Sequence, residues 1–152
     1  MADVRQDLSH PPETVYTALT TPETYPFWLV GCQAIRAVDP DWPAVGTAFH
    51  HRVGLVGAVT VADSTKVLEA EAPRRLVLEV RARPLGRGRV SFVLEPDGDG
   101  GTTLVLEEVP IGGLGPLQPL VDPVTERRNQ RSMTRLAAYL DADRVLHEVR
   151  RA

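Results

Sequence analysis

The chain has 152 residues, 43% of them hydrophobic, which is enough for a single domain that buries its own core without disulfides or metals. Its 17 basic and 20 acidic residues give a net charge of −3, so it lacks the positive field that binding to nucleic acid or to an anionic membrane requires. No apolar run approaches the roughly 20 residues that span a bilayer, which argues against stable membrane insertion.

Two features bear on cellular location. Cys32 is the only cysteine, so the chain cannot form an internal disulfide, and this fits a reducing compartment. The opening MADVRQDLSH lacks the apolar core of a signal peptide. We therefore expect a cytoplasmic protein.

Two short helices are predicted near the start of the chain. Val4 to Leu8 alternates as a short strand, and Pro11-Pro12-Glu13 then suits the first turn of a helix that continues to about Leu19. Thr21-Pro22 is a second helix-start signal, which predicts a helix from Glu23 to Trp28. The two helices thus interrupt the strands of the sheet.

Period-two alternation marks the next six elements as strands. Most connections between them are short and contain glycine, proline or aspartate, so neighbouring strands should be antiparallel. The predicted strands are Cys32 to Val38, Thr47 to Val53, Ala58 to Glu69, Arg75 to Arg83, Arg87 to Glu95 and Thr102 to Val109.

The last predicted element is a long amphipathic helix over residues 119 to 140. Arg127, Arg131 and Arg135 form a stripe on its polar side, where we expect solvent. The predicted apolar face comprises Leu120, Val124, Met133, Leu136, Ala137 and Leu140.

The stretch IGGLGPLQP at residues 111 to 119 is too rich in glycine and proline for regular structure. Its glycine spacing fails both the dinucleotide and the P-loop fingerprints, because Gln118 stands where the third glycine belongs and Pro116 precedes it. We therefore expect no nucleotide cofactor, and we interpret the stretch as a mobile flap over a pocket.

The order of these elements, with three passages of sequence, resembles a known superfamily. The passages are DPDWPAVGTAFHHRVG at 39 to 54, APRRLVLEVRARPLG at 72 to 86 and LEPDGDGGTTLVLEEVP at 94 to 110. Over nearly its whole length the chain resembles the SRPBCC superfamily, also called START-like or Bet v 1-like, and within it the bacterial polyketide cyclase/dehydrase-like branch.

The resemblance implies an α+β helix-grip fold, in which a curved antiparallel sheet with two short helices wraps around the C-terminal helix and leaves a ligand tunnel between them. It does not imply one chemistry, because members include lipid and steroid carriers, hormone receptors and aromatase/cyclases. Function must therefore be argued from the residues of the tunnel.

His51 is the first candidate for the tunnel wall. Consecutive strand residues point to opposite faces, so His50 and His51 cannot bind one metal ion together, and no metal site is expected. Phe49, His51 and Val53 share a face, which directs Phe49 and His51 toward the pocket. A neutral imidazole there can hydrogen-bond a ligand, although a core histidine bonded to a neighbouring side chain gives the same pattern.

Asp63 is the second candidate. Alternation in its strand places Val61, Asp63 and Thr65 on the apolar face, where a carboxylate needs a partner. His51 is the obvious partner if the two strands are adjacent, and the pair would then be a general base. The alternatives are a purely structural pair or a position at the rim.

The helices supply the remaining candidates. Asn129 lies four residues before Met133 and seven before Leu136, so its amide lies on or beside the face that the resemblance directs at the ligand. By the same resemblance Trp28, in the second short helix, borders the pocket mouth. Simple packing is the alternative for each. Nothing near Cys32 suggests a lowered thiol pKa, so we do not expect a nucleophilic cysteine.

These residues favour binding or transport of a small hydrophobic molecule, such as a lipid, a polyketide or an aromatic metabolite, without a cofactor. A first alternative is a polyketide cyclase/dehydratase-type enzyme in which the pair of His51 and Asp63, or an ordered water, moves a proton. A second is a protein-interaction module that uses the outer face of the sheet. Ligand identity stays open, and so does the choice between monomer and homodimer.

Overall fold

A computed structural model describes residues 2–56, 59–82, 86–112 and 118–152. The strands are β1 Ala2–Leu8, β2 Cys32–Val38, β3 Ala48–Val56, β4 Val59–Glu71, β5 Arg75–Ala82, β6 Gly86–Pro96 and β7 Thr102–Ile111. The helices are α1 Pro12–Leu19, a 3₁₀ turn Pro22–Thr24 that runs into α2 Tyr25–Trp28, and α3 Gln118–Arg151.

The strands form a single antiparallel sheet in the order β1-β7-β6-β5-β4-β3-β2. Register shifts interrupt the pairing of β2 with β3, of β3 with β4 and of β4 with β5. Such irregularities bend the strands that carry them, and the sheet curves. With α3 packed against β1 and α2, the predicted α+β helix-grip fold is confirmed.

Proline places the first helix as predicted. Pro11 is extended with φ −66° and ψ 155°, Pro12 occupies the first turn and Glu13 lies beside the positive end of the helix dipole. The second helix begins as the 3₁₀ turn, and Thr21 does not cap it with its side chain. Instead the Thr21 hydroxyl donates to the Thr17 carbonyl oxygen at 2.6 Å, which ties the turn to the end of α1.

The C-terminal helix differs from its prediction at both ends. It continues to Arg151 rather than ending at Leu140, because residues 141–151 contain neither glycine nor proline. Its predicted apolar face is wrong in the first turns, where Leu120 and Val124 are 71% and 69% exposed. The buried side runs only from Asn129 to Leu140, and the helix is largely exposed beyond it.

An aromatic cluster anchors α2 in the core. Tyr25 lies 4.5 Å from Trp28 and 4.9 Å from Phe49 between ring centroids. The polar tips of the first two are satisfied, since the Tyr25 hydroxyl donates to the Leu19 carbonyl oxygen at 2.6 Å and Trp28 Nε1 donates to Thr24 Oγ1 at 3.0 Å. This helix is therefore a fixed part of the interior.

The flap predicted over residues 111 to 119 falls largely on residues 113–117, which lie outside the described residues. Within the described part of the chain, no helix has the length and apolar character needed to cross a bilayer.

Truncating Trp28 should destabilise the fold strongly. We expect Trp28→Ala to lower the free energy of unfolding by about 3–5 kcal/mol, because a fully buried indole is lost together with the hydrogen bond that it donates to Thr24 Oγ1. The neighbouring Phe27→Ala is the control, with a loss of about 1 kcal/mol at most, since Phe27 is 68% exposed. Urea unfolding measures both, and equal losses would contradict the packing described.

Candidate functional site

A cavity of about 110 Å³ lies between the inner face of the sheet, α2 and the buried side of α3. For comparison, an apolar cavity of about 150 Å³ in another protein stays dry and binds benzene. The space therefore suits a molecule, or part of a molecule, of about one ring. Most of its wall is apolar and includes Trp28, Leu78, Val80, Val90, Phe92 and Leu106.

The link between α2 and β2 forms one edge of the cavity. Gly31 has φ 94°, a left-handed conformation that glycine adopts without strain, and it lets the chain reverse into β2. The backbone N–H of Val30 donates to Ser132 Oγ of α3 at 3.0 Å. This hydrogen bond fixes the edge to the helix that closes the cavity.

His51 is the buried polar group on the β3 side of the wall. Its Nε2 lies 3.0 Å from Thr65 Oγ1, and its Nδ1 has no hydrogen-bond partner within the described residues. Burial is the main cause that lowers the pKa of His51; Asp63 acts against it, and Arg36 and His50 add to it. The imidazole is therefore neutral at pH 7. His50 points away, with its Nε2 3.5 Å from Asp39 Oδ1.

Asp63 is the cross-strand neighbour of His51, as predicted. It is buried, and its Oδ1 accepts a hydrogen bond from the Ser64 backbone N–H at 3.0 Å. Arg36 spans the same strands, since its side chain donates to the carbonyl oxygens of His51 and Asp63 at 3.3 Å each. The hydrogen bond of the His51 ring goes to Thr65, while the charge of Asp63 acts on the imidazole without a hydrogen bond between them. A general base formed by this pair stays a prediction.

A second polar cluster, formed by Glu108, Arg128 and Asn129, lies where the wall passes from β7 to α3. Glu108 Oε2 accepts a hydrogen bond from Arg128 Nη2 at 2.6 Å and another from Asn129 Nδ2 at 2.7 Å. Arg128 Nη2 also donates to Asn129 Oδ1 at 3.1 Å. The cluster joins the sheet to the helix and neutralises Glu108.

Sequence reasoning found Asn129 in this cluster but missed its partners. The signal for Glu108 was present, because Leu104, Leu106 and Glu108 alternate on one face of β7 and the two leucines are buried. A carboxylate at the end of such an apolar face requires a partner. The sequence does not identify that partner, which lies 20 residues away on another element.

The structure brings three of the predicted site residues, Trp28, His51 and Asn129, onto the wall. Other predicted residues are buried behind it. Phe49 packs among the aromatic rings, and Met133 and Leu136 lie farther along α3 in the core. Asp63 is buried beside His51, off the wall, and Val61 is half-buried. A role for any of them in ligand binding stays a prediction.

Cys32 also lies on the wall, but its thiol is not activated as a nucleophile. Burial raises the pKa of its thiol to about 11, so the sulfur stays protonated at neutral pH and is a poor nucleophile. Across the described ranges, no three His, Cys, Asp or Glu side chains cluster as metal ligands would.

The lowered pKa of His51 predicts a pH dependence of stability. Below about pH 6.5 an unfolded chain binds a proton at His51 while the folded protein does not, so the free energy of unfolding should fall as the pH drops through this window. Urea unfolding at pH 7.5 and pH 5.5 measures the fall. His51→Gln should reduce it and the control His50→Gln should keep it; an unchanged fall in His51→Gln would contradict the assignment.

Several solved structures of other proteins have a similar fold. Protein MLL2253 from Mesorhizobium loti is 25% identical, with a TM-score of 0.72 over 93% of this chain and 96% of that one. Ara h 8.0201 is 16% identical, with a TM-score of 0.74 over 92% and 96%. DynU16, from the dynemicin biosynthetic locus, is 20% identical, with a TM-score of 0.66 over 92% of this chain and 46% of its own.

Among curated proteins no sequence matches the chain. The sequence profile described as "Polyketide cyclase / dehydrase and lipid transport" matches residues 2–141, which contain the whole sheet, both short helices and the buried side of α3. The chain therefore belongs to this polyketide cyclase/dehydrase and lipid transport family, within the SRPBCC superfamily that its sequence resembles.

Proposed function

We propose that the protein binds a small hydrophobic molecule in the cavity between the sheet and α3. The observation that carries the proposal is the partly open space of about 110 Å³ with a mostly apolar wall. Apolar cavities of this size retain apolar guests because water inside them finds too few hydrogen-bond partners. Membership of a family whose description includes lipid transport supports the same function.

The size of the cavity limits the affinity that apolar contact alone can supply. A single ring buries about 150–200 Å² of apolar surface, which gives roughly 4–5 kcal/mol before association costs are subtracted. A ligand that fills only this space should therefore bind with a dissociation constant of about 1 mM or weaker. Tighter binding requires either polar contacts or a ligand that extends beyond the cavity.

Filling the cavity should abolish this binding. Val90 is buried on the wall, so Val90→Phe places a ring in the space that the ligand would occupy, and Val90→Ile fills it more gently. Ligand-observed NMR with toluene should detect binding to the wild-type protein and a graded loss in the two variants.

Val149→Phe is the matched control, since Val149 is 66% exposed near the end of α3. Urea unfolding confirms that each variant is folded. Toluene binding that survives in folded Val90→Phe protein would contradict the proposed site.

A catalytic role of the cyclase/dehydratase type is the second candidate. It is supported by the buried neutral imidazole of His51, with one nitrogen unpartnered in the described structure, and by the family to which the chain belongs. A neutral imidazole is the form that accepts a proton from a substrate.

The His51→Gln variant distinguishes a binding protein from an enzyme. If the protein is only a binder, His51→Gln should change the toluene dissociation constant by less than about tenfold, as expected for loss of one polar group. If it is an enzyme, the same variant should lose turnover of a polyketide substrate while substrate binding is kept. Turnover by wild-type protein that His51→Gln retains would exclude His51 as the base.

A further inference from the structure

An outer groove begins where the cavity wall ends. Val30 and Arg128 line both the cavity and this groove of about 520 Å³, so the two spaces are neighbours that share these wall residues. Arg127 and Arg131 also line this groove, and a more open depression that they share extends along α3 to Arg135. We call this surface, lined by Arg127, Arg128, Arg131 and Arg135, the arginine groove.

The charge of the arginine groove is largely uncompensated. Arg128 is neutralised by Glu108, but Arg127, Arg131 and Arg135 form no ion pair with any described residue. They follow one another at four-residue spacing, an arrangement of like charges that destabilises a helix. Helix stability therefore does not explain the stripe, and neither does the net charge of −3.

The wall of the groove also contains apolar residues. Pro123 and Val124 line it beside the arginines, and Val124 is largely exposed. A guanidinium group binds carboxylate or phosphate oxygens through parallel hydrogen bonds, whereas proline and valine contact hydrocarbon. A molecule that fits this surface has an apolar part next to an anionic group.

We infer that the ligand of the cavity is an amphiphilic anion, with its apolar end inside and its carboxylate or phosphate in the arginine groove. This inference rests on the proposed function, because the apolar end must bind in the cavity. The cavity holds about one ring, so the remainder of a larger ligand has to leave it, and the groove that shares Val30 and Arg128 with the cavity is the adjoining surface.

Glu108 explains why we do not expect the anionic group to bind at Arg128, which lines both spaces. The Glu108 carboxylate already accepts hydrogen bonds from Arg128 and Asn129, so the positive charge of Arg128 is compensated. Within the groove beside Val30, the guanidinium groups that form no ion pair with a described residue are those of Arg127 and Arg131. These two residues should therefore determine selectivity for an anion.

The test compares two probes with the same apolar body, 4-phenylbutyrate and 4-phenylbutanol. Calorimetry at low salt should give a dissociation constant about fivefold lower for the acid, and this preference should shrink as salt screens the charges. Arg127→Gln/Arg131→Gln should bind both probes equally. Arg150→Gln/Arg151→Gln removes the same charge at the far end of α3 and should keep the preference.

The outcomes separate the inference from the function on which it rests. Equal affinity of wild-type protein for acid and alcohol overturns the inference and leaves the proposed function standing. If neither probe nor toluene binds, the proposed function fails and the inference with it. 4-Phenylbutyrate that binds Val90→Phe protein as tightly as wild type would show that the anion binds without its apolar end in the cavity, and this would overturn the inference.

Discussion

The cavity depends on how α3 packs against the open side of the sheet. An unfilled apolar space costs the contacts that its wall residues would otherwise make, so the helix must be held at a distance that keeps the space open. Hydrogen bonds between polar groups fix the spacing of the walls at two places. Val30 is bonded to Ser132 on one edge, and Glu108 is bonded to Arg128 and Asn129 on another. The walls therefore cannot collapse onto one another without breaking hydrogen bonds of buried or half-buried groups.

The polar groups of the site divide an uncharged interior from a cationic exterior. Inside, burial keeps His51 neutral and the Cys32 thiol protonated, and Glu108 is compensated by its partners. Outside, the guanidinium groups of Arg127 and Arg131 have no acidic partner among the described residues. A neutral apolar group is thus favoured against the apolar wall, and negative charge is favoured beside the exposed guanidinium groups, which include Arg81 at the cavity as well as Arg127 and Arg131 in the groove.

Local signals in the sequence predicted most of the fold and part of the site. Proline positions gave the start of α1, and alternation gave the strands and the inward side of His51. Alternation assigns a face but not a depth, so Phe49 and Met133 share faces with wall residues yet lie in the core. Partners across the fold, such as Arg128 for Glu108, depend on how helix and sheet meet. Periodicity cannot supply that, and it also placed Leu120 and Val124 inside when both are exposed.

The central claim is that the space bounded by Trp28, Phe92 and Asn129 is an accessible apolar cavity. A crystal structure determined under xenon pressure tests it most directly, since xenon occupies dry apolar cavities without needing a hydrogen bond. The account predicts a xenon atom between these three side chains, displaced in a crystal soaked with toluene. Side chains that fill the space, or ordered water that xenon does not displace, would contradict it.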